Sequence, residues 1–248
     1  MKIRLLIVAT MLVLVTGANA QQFVELRQLI DMPTAGVLDR GSYAIQLRMF
    51  GSGGLLGGVS VGLTPRVMFG LSFGGENIIG EGKVDWNGRP GIMAKLRIID
   101  ENFVMPAITV GFESQGYGAW NDAFDRYENK SRGLYAVASK NYAILFNLGF
   151  HGGLNYSLED DDNDDDLNIF LGVDLSFNRE FRVFLEYDFA NNDNETDALF
   201  GSGDGYLNAG VLWTFSDRLF LQFNFKNLLQ DGNNDVAREI KIGYFEYF

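Results

Sequence analysis

Residues 167–177 read L-N-I-F-L-G-V-D-L-S-F, and their apolar side chains fall on every second position. Leu167, Ile169, Leu171, Val173, Leu175 and Phe177 share one face of an extended strand. Asn168, Phe170, Gly172, Asp174 and Ser176 share the other, because strand side chains alternate with a period of two. The pattern recurs. Phe181, Val183, Leu185, Tyr187 and Phe189 oppose Arg182, Phe184, Glu186 and Asp188, and Leu219, Leu221, Phe223 and Phe225 oppose Phe220, Gln222, Asn224 and Lys226. Earlier, Tyr43, Ile45, Leu47 and Met49 oppose Ala44, Gln46, Arg48 and Phe50.

A soluble β-sandwich alternates as well. Here, however, the apolar face runs for five or six positions per strand, enough for a band of roughly 25 Å. The opposite face mixes charges with glycines, as a crowded polar lumen requires. The chain has 30 Gly, 21 Phe and 10 Tyr but no Cys. That excludes disulfide and thiolate chemistry, and the net charge of −12 argues against nucleic acid as a partner.

The N-terminus reads as an export signal. Lys2 and Arg4 precede the apolar residues 5–15, and Ala18 and Ala20 are small residues where a signal peptidase cuts. Cleavage after Ala20 is expected, with residues 21–40 a periplasmic pre-barrel segment and residues 41–248 the barrel. Phe23, Val24, Leu26, Leu29 and Ile30 fit that segment for the periplasmic mouth or for the lumen.

Twelve strands are expected, near 42–50, 55–64, 66–74, 91–99, 103–113, 133–140, 142–156, 167–177, 180–189, 205–215, 218–227 and 236–248. Tight turns near 64–66, 100–102, 140–141, 178–179 and 216–217 alternate with long polar links, as on the two rims of an outer-membrane barrel. The link at 51–54 breaks this rule by being short. Lipid offers no partner for backbone N–H and C=O groups, so a sheet within it must close. The fold class is an all-β, antiparallel transmembrane barrel of the bacterial outer membrane. Twelve strands tilted by roughly 40° give a diameter of about 24 Å, leaving room for a small solute or a narrow water path.

The inward parity selects Arg48, Lys95, Arg97, Lys140, Arg182, Lys226 and Lys241 against Glu113, Asp174, Glu186, Asp188 and Glu239. Mutual neutralisation is the favoured role, selectivity the sharper one. Asp174 and Arg182 flank one turn and are placed to pair. His151, the one histidine, faces inward with Asn155; no serine beside it in sequence supplies a nucleophile, so no catalytic residue is assigned. Asp160, Asp162 and Asp164 have the alternate spacing of a calcium loop, but Asp165 replaces its turn glycine and Leu171 its bidentate Glu. A solvated outer loop with at most weak divalent binding is expected, with no cofactor. Glu246 stands where the closing strand should be apolar.

Four further stretches carry a family likeness: residues 32–36 (MPTAG), 95–101 (KLRIIDE), 106–112 (PAITVGF) and 133–140 (GLYAVASK). In order and spacing they resemble the YjbH-type outer-membrane barrel family linked to exopolysaccharide. The resemblance implies a non-enzymatic barrel associated with export or organisation of surface polysaccharide. A narrow passive channel for small solutes is the alternative, and a lipid-acting barrel hydrolase a weaker one. Expected partners are outer-membrane lipid and lipopolysaccharide, the barrel-assembly machinery and, through the resemblance, polysaccharide or its export proteins.

Overall fold

The computed structural model describes residues 25–143, 146–162, 164–194, 201, 203–231 and 235–248. The expected signal segment lies outside them, as do residues 21–24 of the expected pre-barrel segment, Phe23 and Val24 included. Fifteen strands follow in order: β1 (Ser42–Phe50), β2 (Gly54–Thr64), β3 (Val67–Glu76), β4 (Asp85–Trp86), β5 (Gly91–Ile99), β6 (Ala107–Glu113), β7 (Tyr117–Asn121) and β8 (Arg126–Asn129), then β9 (Gly133–Ala143), β10 (Asn147–Tyr156), β11 (Asn168–Ser176), β12 (Phe181–Asp188), β13 (Tyr206–Phe215), β14 (Leu219–Lys226) and β15 (Ala237–Tyr247). Leaving aside β4, β7 and β8, the remaining twelve form one antiparallel ring. Each pairs with the next, and β15 pairs with β1 to close the circle. No sheet edge is left for lipid to meet.

The ring is inverted relative to a soluble protein. Ile45, Leu71, Leu171, Leu185, Val211 and Phe223 are exposed all around the outside. Arg48, Lys95, Asn155, Asp174, Glu186, Gln222 and Lys241 are buried within. An apolar belt of this extent far exceeds the patches tolerated in water. Ring pairs mark its edges: Tyr43 with Phe248 at 5.2 Å on the short-turn rim, and Phe73 stacked on Trp86 at 5.5 Å on the other.

Three expectations need correction. Residues 103–106 are turn rather than strand, with Phe103 almost fully exposed. There is no turn at 140–141, because β9 continues to Ala143 and Tyr142 pairs with Leu148. Lys140 therefore sits opposite outward Phe150 rather than in the lumen, and its ammonium caps the carbonyls of the 100–106 turn, including that of Phe103 at 3.3 Å. Finally, the long links are not plain loops: β4 extends the β3 edge, and β7 and β8 form a hairpin. Glu246 is accommodated at the short-turn rim, where it pairs with Arg218 and accepts the Tyr244 hydroxyl at 2.9 Å.

Candidate functional site

Residues 25–40 lie inside the ring. They enter at the short-turn rim, turn back at a tip held by the Leu29 N–H to Met32 carbonyl bond (3.0 Å), and leave at Asp39. Of the two placements open to this segment, it takes the lumen. Leu29 and Ile30 pack on Phe184 and Leu212, Met32 and Ala35 on Tyr135, Val137 and Phe170, and Val37 and Leu38 on Ala44 and Met68. This explains the apolar residues at inward positions. Gly172 belongs to the same fit, since a Cβ there would come within 2.5 Å of Leu29 Cδ1.

A buried segment that forms no ladder must find partners for its backbone elsewhere. Wall side chains supply them. Glu186 accepts the N–H groups of Ile30, Asp31 and Met32 at 3.0, 3.0 and 3.1 Å, and Asn208 fixes it at 2.8 Å. Gln222 donates to the Leu29 carbonyl at 2.9 Å, and Thr109 and Arg97 donate to that of Ala35 at 2.8 and 3.1 Å. Asp31, at the tip, meets Arg48 and Lys226, the latter at 2.8 Å. Glu239 completes the cluster, accepting Arg48 Nε at 2.7 Å and lying 3.3 Å from Lys226.

The other expected lumen residues join the same fabric. Arg132 pairs with Asp188, which accepts Asn168 at 2.6 Å; Asn168 in turn donates to Asn155 at 3.2 Å. Arg182 donates to Ser176 at 2.6 Å and lies 3.5 Å from Asp174. His151 is held at both ring nitrogens, Nδ1 by Ser139 Oγ and Nε2 by Asp174 Oδ1, each at 2.8 Å. Gly149 leaves the space that Asp174 fills. Sequence reading missed Ser139 because it lies across the β9–β10 ladder, directly opposite His151. The three form a Ser–His–Asp chain, but Ser139 Oγ also accepts the Ala35 N–H at 2.8 Å, so the lumenal segment covers the hydroxyl that a nucleophile would present.

The outer links fold over the far end. Arg126 pairs with Asp162 and, at 2.9 Å, with Asp193; Lys130 reaches Asp162 at 2.7 Å and the Asp164 carbonyl at 2.6 Å. Glu159 accepts the N–H groups of Tyr127 and Ser131, both at 3.2 Å. The acidic link is thus exposed at Asp160, Asp161, Asp165 and Asp166, as expected of a solvated loop, but pinned to the lid at Glu159, Asp162 and Asp164. Asp160 is exposed and Asp162 is committed to two cations, and no three acidic or histidine side chains among the described residues gather as a metal ligand set. Beneath this lid the Tyr117 ring lies against Arg48, with the guanidinium carbon 4.2 Å from its centroid.

Beside the lumenal segment, a cavity of about 590 Å³ opens at the short-turn rim by Asp217 and Tyr247 and ends at Leu56, Gln115 and Tyr117. The same three residues line a pocket of about 10 Å³ on the far side, with Phe50 and Asn87, so they form the partition between the two.

A closed ring with an apolar belt, a polar interior and short turns on one rim defines a transmembrane β-barrel of the bacterial outer-membrane type. No protein-family model matches the chain, and no curated protein matches it in sequence. Among solved structures it is similar to a KdgM porin, with a TM-score of 0.48 and 10% identity over 84% of this chain and 99% of that one. It is also similar to the Acinetobacter baumannii outer membrane protein Omp33, with a TM-score of 0.46 and 7% identity over 84% of this chain and 97% of that one.

Proposed function

We propose that the protein is a narrow, gated, non-enzymatic passage for small polar solutes, closed in the conformation described. The supporting observation is the polar-walled cavity that reaches from the periplasmic rim to Leu56, Gln115 and Tyr117, which separate it from a small pocket under the outer lid. The lumenal segment beside it is held by side-chain bonds and packing rather than by strand pairing to the wall, so it can shift without opening the ring.

Planar-bilayer recording tests the reading. The native chain should give small or infrequent current steps, and Tyr117→Ala should give larger steady ones. Silence of both proteins, each shown to be folded by a heat-dependent gel shift, overturns it.

The association with surface polysaccharide stands as a second proposal, favoured by the matching stretches at 32–36, 95–101, 106–112 and 133–140. The segment 32–36 is the returning arm of the lumenal loop, with Ala35 bonded to the wall. Loss of surface polysaccharide on deletion of the gene would support this proposal, and an unchanged surface would count against it.

A further inference from the structure

Several framework cations of this barrel are paired with carboxylates. Arg48 and Lys226 share Asp31 and Glu239, Arg132 has Asp188, and Arg182 has Asp174. Lys95, Lys241 and Arg27 differ. All three line the large cavity, and among the described residues none forms an ion pair. The Lys95 ammonium rests on the carbonyls of Arg27 and Thr34, the latter at 3.2 Å. The Lys241 ammonium donates to Gln28 Oε1 at 2.9 Å. Both lysines are almost wholly buried, at 3% and 5% exposure, and Arg27 is within Coulombic range of each. The carboxylate set deep in the same cavity is Glu113, which the Tyr117 hydroxyl approaches at 3.4 Å. Glu25 also lines the cavity but is already paired with Arg97, so three cations face Glu113 and one shared carboxylate, an excess of positive charge that is costly in a confined site unless an anion enters. Met68, Met93, Phe220 and Phe245 supply apolar surface on the same wall, among polar side chains such as Gln46, Ser72 and Gln222.

We propose that this cavity is a binding site for a small organic anion, its carboxylate or phosphate oxygens held by Lys95, Lys241 and Arg27 and its carbon skeleton lying on Met68, Met93 and Phe220. Lysine and arginine donors suit such oxygens, and a half-apolar wall distinguishes an organic anion from chloride. As the selectivity element of the proposed passage, the site rests on that reading. Its occupancy, however, does not require current to flow.

Titration calorimetry on the full chain in detergent tests it, with citrate and inorganic phosphate as probes and glucose as the neutral control. Citrate should bind saturably and glucose should not. The double variant Lys95→Gln/Lys241→Gln, or Arg27→Gln where that pair fails to give a heat-shifting barrel, should weaken citrate binding roughly tenfold or more. Lys83→Gln, on an exposed outer link, should leave it unchanged. Absence of saturable binding to either anion, or equal binding by native and folded cavity variants, overturns the site. Binding without bilayer current would support the site while removing the passage. Current without binding would remove the site alone.

Discussion

Glu186 on the inner wall of β12 accepts the backbone N–H of Asp31 at 3.0 Å, across 155 positions of sequence. A carboxylate here takes the place of the ladder partner that the lumenal segment lacks. Glu186→Gln keeps the size but replaces the anionic acceptor facing three successive N–H groups. Bonds to charged groups are worth about 1.5–3 kcal/mol each, so the tip should loosen by about 2 kcal/mol or more. Hydrogen exchange at residues 30–32 should rise while the gel shift of the barrel persists.

Gly172→Ala should separate the same two layers by crowding. Its methyl would press on Leu29, at an overpacking cost of about 1–3 kcal/mol. Faster exchange at residues 29–32 with an intact ring is the expected result, and an unfolded ring would contradict it.

Outside the membrane, two carboxyls of the lid respond to pH in opposite senses. Burial raises the Glu159 pKa above its ordinary 4.5 and outweighs its bonds from Ser131 and Tyr127. The closed lid therefore favours the protonated acid and gains stability as pH falls through that raised value. For Asp162, partial burial is outweighed by Lys130 and Arg126, which lower its pKa below 3.8. Its contribution is present above 3.8 and is lost as pH falls through the lowered value. Exchange protection of residues 126–131, corrected for the intrinsic rate, should rise on mild acidification from neutral and fall only in stronger acid. A monotonic loss from neutral downward would contradict this assignment.

The Ser139–His151–Asp174 chain is assigned to anchoring. Ser139→Ala removes one acceptor from the Ala35 N–H and should cost about 1 kcal/mol of segment stability, read as faster exchange at residue 35. Neither the native protein nor His151→Ala should hydrolyse nitrophenyl esters above the buffer rate. Turnover in the native protein that both variants abolish would replace anchoring with catalysis.

Leu171 projects from the middle of β11 into the apolar belt. Leu171→Arg should destabilise the barrel in lipid by about 2–4 kcal/mol, measured by reversible unfolding in liposomes. A neutral effect would argue against hydrocarbon at that face.

Period-two alternation was enough to read the ring, because a strand buried on one side returns to the same face at every second residue. It worked for 168–176, 181–188 and 219–226, where polar and apolar positions separate cleanly. It slipped at Lys140, where the long aliphatic stem of a rim lysine tolerates the outward face and the turn carries no glycine or proline to mark it. The lumenal segment left two signals: apolar Leu29 and Ile30 before the first strand, and inward Phe170 and Phe184 with nothing polar to do. Only the structure joins them. The partners of His151 and the cations of Asp162 come from other strands and links, so no local spacing encodes them.

The cluster around Asp31 has a consequence for assembly. Arg48 belongs to the first strand of the ring and Glu239 to the last, and Lys226 sits on the strand beside it. Asp31 is thus clasped at the seam where the two ends of the sheet meet. Until that seam zips, Arg48 is apart from Glu239 and the clasp lacks its β1 side, keeping only the Lys226 contacts. Sealing the cylinder therefore also locks the tip of the lumenal loop, because the last partner of Asp31 arrives with the first strand.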